Sequence, residues 1–373
     1  MGKLLLLLMV LISSLIVVNA ENDERDKDYS FGDIFTVVKT IIKKFKDFVF
    51  DGLQVADPID TDTTFWCLNR ESPDDEMQQV AMHDPKLEKK INLTKPIAFI
   101  IHGWIDHVNR AWVTDLMKDY IKYIDMNVCG VDWSDLATNE YVLIKKKYAP
   151  RVAKNLANFI KFLYKDHQVS YDDISLVGHG LGAHIAGFAG SRLKGKIGKI
   201  FALDPAGLLY THPGLLTLGT TKDDRLDPSD AKYVQAIYTS RLKKKEWLSM
   251  GAINDIGHAN FKPNGGTSPQ PACKGKYLSS SAALEKFSCS HLIAVDYFRY
   301  ALDPENFFDF YECTSKKCDN PVRLGVYADT SKHGNFTGVT IPEAPFTTIN
   351  LVKEDPKIHL NKKSKKNEKN DRD

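Results

Sequence analysis

Val177-Gly178-His179-Gly180-Leu181-Gly182-Ala183 decides how this chain folds. It lies between an apolar run, Ile174-Ser175-Leu176-Val177, that reads as a strand, and a small-residue run from Ala183 to Arg192 that reads as a helix. Two motifs compete for it. Gly178, Gly180 and Ala183 fit the dinucleotide fingerprint G-x-G-x-x-A, with Asp204 about 20 residues further on, as that motif asks. The alternative is a nucleophile elbow, G-x-S-x-G, whose flanking glycines let the backbone fold back without side-chain clash. Gly178 and Gly182 then hold the flanks, and Gly180 stands where the serine should be.

The surrounding order favours the elbow. A dinucleotide fingerprint opens its domain, whereas here two strands come first: Ile97-Ala98-Phe99-Ile100-Ile101 and Val128-Cys129-Gly130-Val131. A helix follows Pro150, with Val152, Leu156, Phe159, Ile160 and Leu163 on one face. Ile200-Phe201-Ala202-Leu203 reads as a strand ending at Asp204-Pro205. Continuous apolar strands between helices imply an α/β fold with a mostly parallel sheet covered on both faces. Triad members on an elbow fold come in the order nucleophile, acid, histidine. Asp204 and His291 follow Gly180 in that order. His102-Gly103-Trp104 follows an earlier strand, where part of an oxyanion hole is built, and the N–H of Leu181 would supply the other donor.

The ends of the chain speak about export. Met1-Gly2-Lys3, the apolar run Leu4 to Val18 and the small residues Val18-Asn19-Ala20 read as a secretory signal peptide over residues 1–20. The run is shorter than the roughly 20 residues a bilayer needs, and no later segment is long and apolar enough to span one. Export puts six cysteines in an oxidising compartment, which suggests up to three disulfides. Cys313 and Cys318 can close a small loop, Cys273 and Cys289 a larger one, and Cys67 and Cys129 would then join the N-terminal region to the core. Other pairings stay open. Asn92-Leu93-Thr94 and Asn335-Phe336-Thr337 are glycosylation sequons. Within residues 21–55, Phe31 to Leu53 reads as an amphipathic helix, with Phe31, Ile34, Phe35, Val38, Ile41 and Phe45 on one face and Lys39, Lys43, Lys44 and Lys46 on the other. Such a helix packs on the domain or lies on a lipid surface. Residues 346–373 read as a lysine-rich disordered tail, leaving 56–345 as the domain. The balance of 50 Lys+Arg against 48 Asp+Glu excludes a dedicated nucleic-acid binder.

These stretches together resemble the pancreatic lipase family of animals, in its short, insect-type form close to phospholipases A1. The match runs through His102-Gly103-Trp104, Gly130-Val131-Asp132-Trp133, Gly178 to His184 and Leu203-Asp204-Pro205-Ala206. It continues through Arg225 to Ala231, Pro263-Asn264-Gly265-Gly266 and Cys289-Ser290-His291-Leu292. The resemblance implies an α/β-hydrolase fold that cleaves acyl esters of lipids, with Asp204 and His291 as acid and base and Trp104 and Leu181 as oxyanion donors. It implies a structural calcium held by the carboxylates of Asp227 and Asp230 and the carbonyls of Lys222 and Arg225. A solvated acidic turn is the plainer reading of those two aspartates. It also implies a short lid between Cys273 and Cys289. The C-terminal β-sandwich of the larger relatives is expected to be absent.

Gly180 departs from the family. Acyl transfer needs an oxygen nucleophile there, and losing the serine of a comparable triad costs on the order of a millionfold in turnover. No Ser, Thr or Cys occupies residues 178–182, Ser175 belongs to the strand and Ser191 to the far end of the helix. Glycine readily adopts the strained elbow conformation, so the fold is expected to survive. Asp204 and His291 then persist as a packed hydrogen-bonded pair or as a residual catalyst. Two functions follow: a secreted lipase-like pseudoenzyme that binds lipid or another apolar ligand, needing no cofactor, as in the yolk proteins of higher flies; or an active phospholipase A1 working by an unusual route.

Overall fold

The computed structural model describes residues 62–212, 221–242, 249–273, 282–313 and 321–348. The signal peptide, the N-terminal helix, residues 274–281 of the lid expected between Cys273 and Cys289, Cys318 and the tail from residue 349 lie outside them.

Nine strands form one sheet: β1 (Thr64–Leu68), β2 (Gln78–Val80), β3 (Ile97–Ile101), β4 (Asn127–Asp132), β5 (Ile174–His179), β6 (Lys199–Leu203), β7 (Tyr233–Ile237), β8 (Ala259–Pro263) and, after a small hairpin of β9 (Asp309–Phe310) and β10 (Val322–Arg323), β11 (Gly334–Gly338). Their spatial order is β11-β8-β7-β6-β5-β3-β4-β1-β2. β1 runs antiparallel to both β4 and β2. From β4 to β11 every pairing is parallel. Four helices carry the argument: α1 (Ala111–Tyr123), α2 (Ala149–His167), α3 (Leu181–Arg192) and α4 (Ala282–Tyr300).

Strand alternation explains the layers. Ile97, Phe99 and Ile101 of β3 join a core with Val152, Leu156, Phe159 and Ile160 of α2 and Ile185 of α3. Ala98 and Ile100, pointing the other way, join a second core with Val113, Leu116 and Met117 of α1 and Val295 and Phe298 of α4. A sheet covered on both faces has no polar side, so all five residues of β3 are buried. The helix read after Pro150 and the strands read at 97–101, 128–131, 174–177 and 200–203 stand where expected.

Cys67–Cys129 bridges directly opposed residues of β1 and β4, and Cys273–Cys289 ties α4, through Cys289, to the segment after β8. Cys313 is disulfide-bonded. One boundary needs correction. The fold continues past residue 345: Phe346 is buried against Tyr297 and Tyr300, and Thr348 N–H donates to Phe307 O at 3.0 Å. Two aromatic partners and a backbone bond hold residues 346–348 that the charge pattern assigned to the tail.

Candidate active site

At the end of β5 the chain turns into α3 through Gly180, with φ 57° and ψ −114°. This is the left-handed side of conformational space, strained for any L side chain and open to glycine. Gly180 N–H donates to Leu203 O at 3.1 Å, and Gly180 O accepts from Ala206 N–H at 3.1 Å, so the turn is tied to the end of β6. Gly182 packs against the end of β3, where an added Cβ would sit 2.0 Å from Ile101 O. That is an elbow's packing. The dinucleotide alternative fails here: this is the third parallel strand rather than the first, and Asp204 is occupied otherwise.

Asp204 follows β6 and is fully buried. Its Oδ2 lies 2.6 Å from Nδ1 of His291, on α4. Its Oδ1 accepts from Thr239 N–H at 2.8 Å and Ser240 N–H at 3.3 Å, and Ser240 Oγ donates to Oδ2. Gly251 N–H in turn donates to Ser240 Oγ at 2.8 Å. Backbone N–H groups, a hydroxyl and an imidazole thus surround the carboxylate. The other ring nitrogen of His291, Nε2, is 3.0 Å from the point a Cβ on Gly180 would occupy. The structure therefore brings Gly180, Asp204 and His291 together from three elements far apart in the chain.

The oxyanion candidates gather at the same end of the sheet. Leu181 opens α3, where the first N–H groups have no acceptor within the helix. A Cβ on Gly103 would be 3.9 Å from Leu181 N, so the His102-Gly103-Trp104 loop lies against the elbow. The Trp104 indole donates to Asn139 O at 3.0 Å and meets Tyr141 edge-on.

Sequence reasoning missed the residues behind the dyad. His179 is buried; its ring lies 4.3 Å from that of His291 and its Nε2 is 3.1 Å from His291 O. Burial, then the neighbouring His291, pushes its pKa down to about 3, so it is a neutral spacer. Ser240 and Thr239, which fix the acid, follow β7, a strand with no motif of its own. Ser175 and Ser191 stand in β5 and at the exposed end of α3, as the sequence implied.

The acidic turn sits under α3. Asp227 Oδ1 accepts from Ser229 N and Oγ, each at 2.6 Å, and Asp230 Oδ2 accepts from Asp227 N at 2.9 Å. Burial, then the Asp227 charge beside it, pushes Asp230 up to about 7. Among the described residues no cluster of three His, Cys, Asp or Glu side chains could hold a metal. Lys222, exposed, and Arg225, half-buried, precede the turn. Of the sequons, Asn92 is half-buried with its Oδ1 accepting from Thr94 N and Oγ1, and Asn335 is exposed on β11. A depression of about 400 Å³ lined by Arg70, Asp75, Lys118, Ile121 and Lys122 shares no residue with the site. No helix among the described residues is long and apolar enough to cross a membrane.

Comparison with known proteins agrees with this geometry. The family model described as Lipase matches residues 45–320. Pancreatic lipase-related protein 2 of Rattus norvegicus is 30% identical over 318 residues, covering 75% of this chain and 66% of the relative. Pancreatic triacylglycerol lipase of Homo sapiens is 30% identical, covering 73% and 61%. Inactive pancreatic lipase-related protein 1 of Mus musculus is 31% identical, covering 76% and 61%. The chain thus spans less than two thirds of the length of each of these relatives. With the family model matched across most of the chain and an elbow, acid and histidine in one cluster, the chain belongs to the lipase family.

Proposed function

We propose that this is an exported lipase-family protein that binds lipid or another apolar ligand and no longer turns it over as an enzyme does. One observation carries the reading: the elbow backbone is intact, and Gly180 puts no atom where the attacking oxygen belongs. Without the nucleophile, His291 has no hydroxyl to deprotonate. The test is an esterase assay, on a nitrophenyl ester and on phosphatidylcholine, of the native protein beside Gly180→Ser. The native protein is expected to show no more turnover than His291→Asn, and Gly180→Ser to gain several orders of magnitude. Native hydrolysis at an ordinary enzyme's rate would overturn the proposal.

The preserved Asp204–His291 bond supports a second reading, a slow carboxylic ester hydrolase or phospholipase A1 in which His291 activates water. Weak native hydrolysis that disappears in His291→Asn would favour it.

Two buried carboxylates side by side, Asp227 and Asp230, with the Lys222 and Arg225 carbonyls on the turn before them, support a hard-cation reading. A calcium there would neutralise the pair and brace the turn under α3. Millimolar calcium is expected to raise the melting temperature of the native protein and not that of Asp227→Asn; equal responses would exclude the site.

A further inference from the structure

What the cleft holds can be narrowed from the atoms facing Gly180. Apart from its chain neighbours, the described atoms within 4 Å of a Cβ built there are Nε2 and Cε1 of His291, at 3.0 and 3.5 Å. Nε2 therefore looks across the place the serine has left, while Nδ1 is held by Asp204. The polar atom facing that place is a ring nitrogen. A neutral ester brings no charge to it, whereas a carboxylate accepts from a ring N–H in a charge-assisted hydrogen bond. A serine would stand in the space that the carboxylate needs.

Two further features select the rest of the molecule. The Leu181 N–H opens α3, a helix of 12 residues, and so lies at its positive end. Ile105 and Leu292, next in the chain to Trp104 and His291, are large apolar side chains left 40% and 38% exposed. An anionic head with a long apolar chain satisfies both. Resting on the binding role above, we propose that this site captures the ionised carboxylate of a long-chain fatty acid. His291 Nε2–H and the Leu181 N–H hold the carboxylate, and Ile105 and Leu292 border the chain. The site has become a receptor for what its relatives' chemistry releases from an ester, with no covalent step.

The experiment is a binding titration of the whole protein with oleate, oleyl alcohol and acetate, kept below micelle-forming concentrations. Oleate is expected to bind about tenfold tighter than oleyl alcohol, the worth of one charge-assisted hydrogen bond. Acetate at the same concentrations should not displace it. Gly180→Ser should lose that preference while still binding oleyl alcohol, and a melting curve confirms that the variant is folded. Equal affinity for oleate and oleyl alcohol would overturn carboxylate capture and leave apolar binding standing. No binding of either would overturn both readings. Displacement of oleate by acetate, or an unchanged preference in Gly180→Ser, would also overturn the proposal.

Discussion

Gly180 takes away one side chain and leaves the backbone that would have carried it. At φ 57° a serine is held in strain worth about 1–3 kcal/mol. Its Cβ would also press on His291 Nε2 at 3.0 Å, so the ring must shift by a few tenths of an ångström. Gly180→Ser is therefore expected to be less stable than the native protein by about 1–3 kcal/mol in urea titrations, even as it gains turnover. Gly182 is constrained differently. A methyl group there would meet the backbone of β3 at 2.0 Å, and backbone cannot step aside as a side chain can. Gly182→Ala should cost about 3 kcal/mol or more, read as a large drop in the urea midpoint. His179 gives a pH signature. Its folded pKa, about 3, lies below the 6.5 of an unfolded histidine. Above pH 6.5 both states are neutral and the full stability is present. As pH falls from 6.5 toward 3 the unfolded chain takes up a proton that the fold refuses. Stability should decline across that window by about 1.4 kcal/mol per pH unit from this residue, and His179→Gln should flatten the slope.

Among the elements, α3 joins the site to the acidic turn. His184, one turn into α3, has Nε2 2.8 Å from Ala206 O and accepts from Leu226 N–H at Nδ1, 3.1 Å away; Tyr210 stacks on its ring. Ala206 N–H donates to Gly180 O, so one imidazole ties the elbow, the segment after β6 and the turn at 225–230 together. His184→Ala strands a buried carbonyl and a buried N–H, and should cost about 3 kcal/mol of unfolding free energy. These links explain what was legible. β3, β5 and β6 are uninterrupted apolar runs because helices cover both faces, and α2 carries a clean stripe. α1 has a stripe as well, Val113, Leu116, Met117 and Tyr120, yet its register against α4 depends on Arg299 reaching Asp115 and Asp119 from far along the chain. The antiparallel β1 and β2 and the hydroxyl of Ser240 behind Asp204 depend on strand order, which local pattern does not encode.

Over the whole molecule, Cys67–Cys129 joins the antiparallel edge to the parallel sheet across 62 residues of chain. Replacing both cysteines by alanine is expected to lower the unfolding free energy by about 4 kcal/mol, read as a lower guanidinium midpoint under oxidising conditions. The amino-acid sequence alone determined the fold class, the elbow between β5 and α3, the order of acid and histidine, and the absence of an oxygen at Gly180. These are local facts of residue type and spacing. Tertiary structure decided the rest. It aimed Nε2 of His291 at the vacant position, buried His179 beside that ring and gave Asp204 its hydroxyl partner. It also kept Phe346 in the core. Each of those depends on contacts between segments distant in sequence, which form only once the sheet has set the order of its strands.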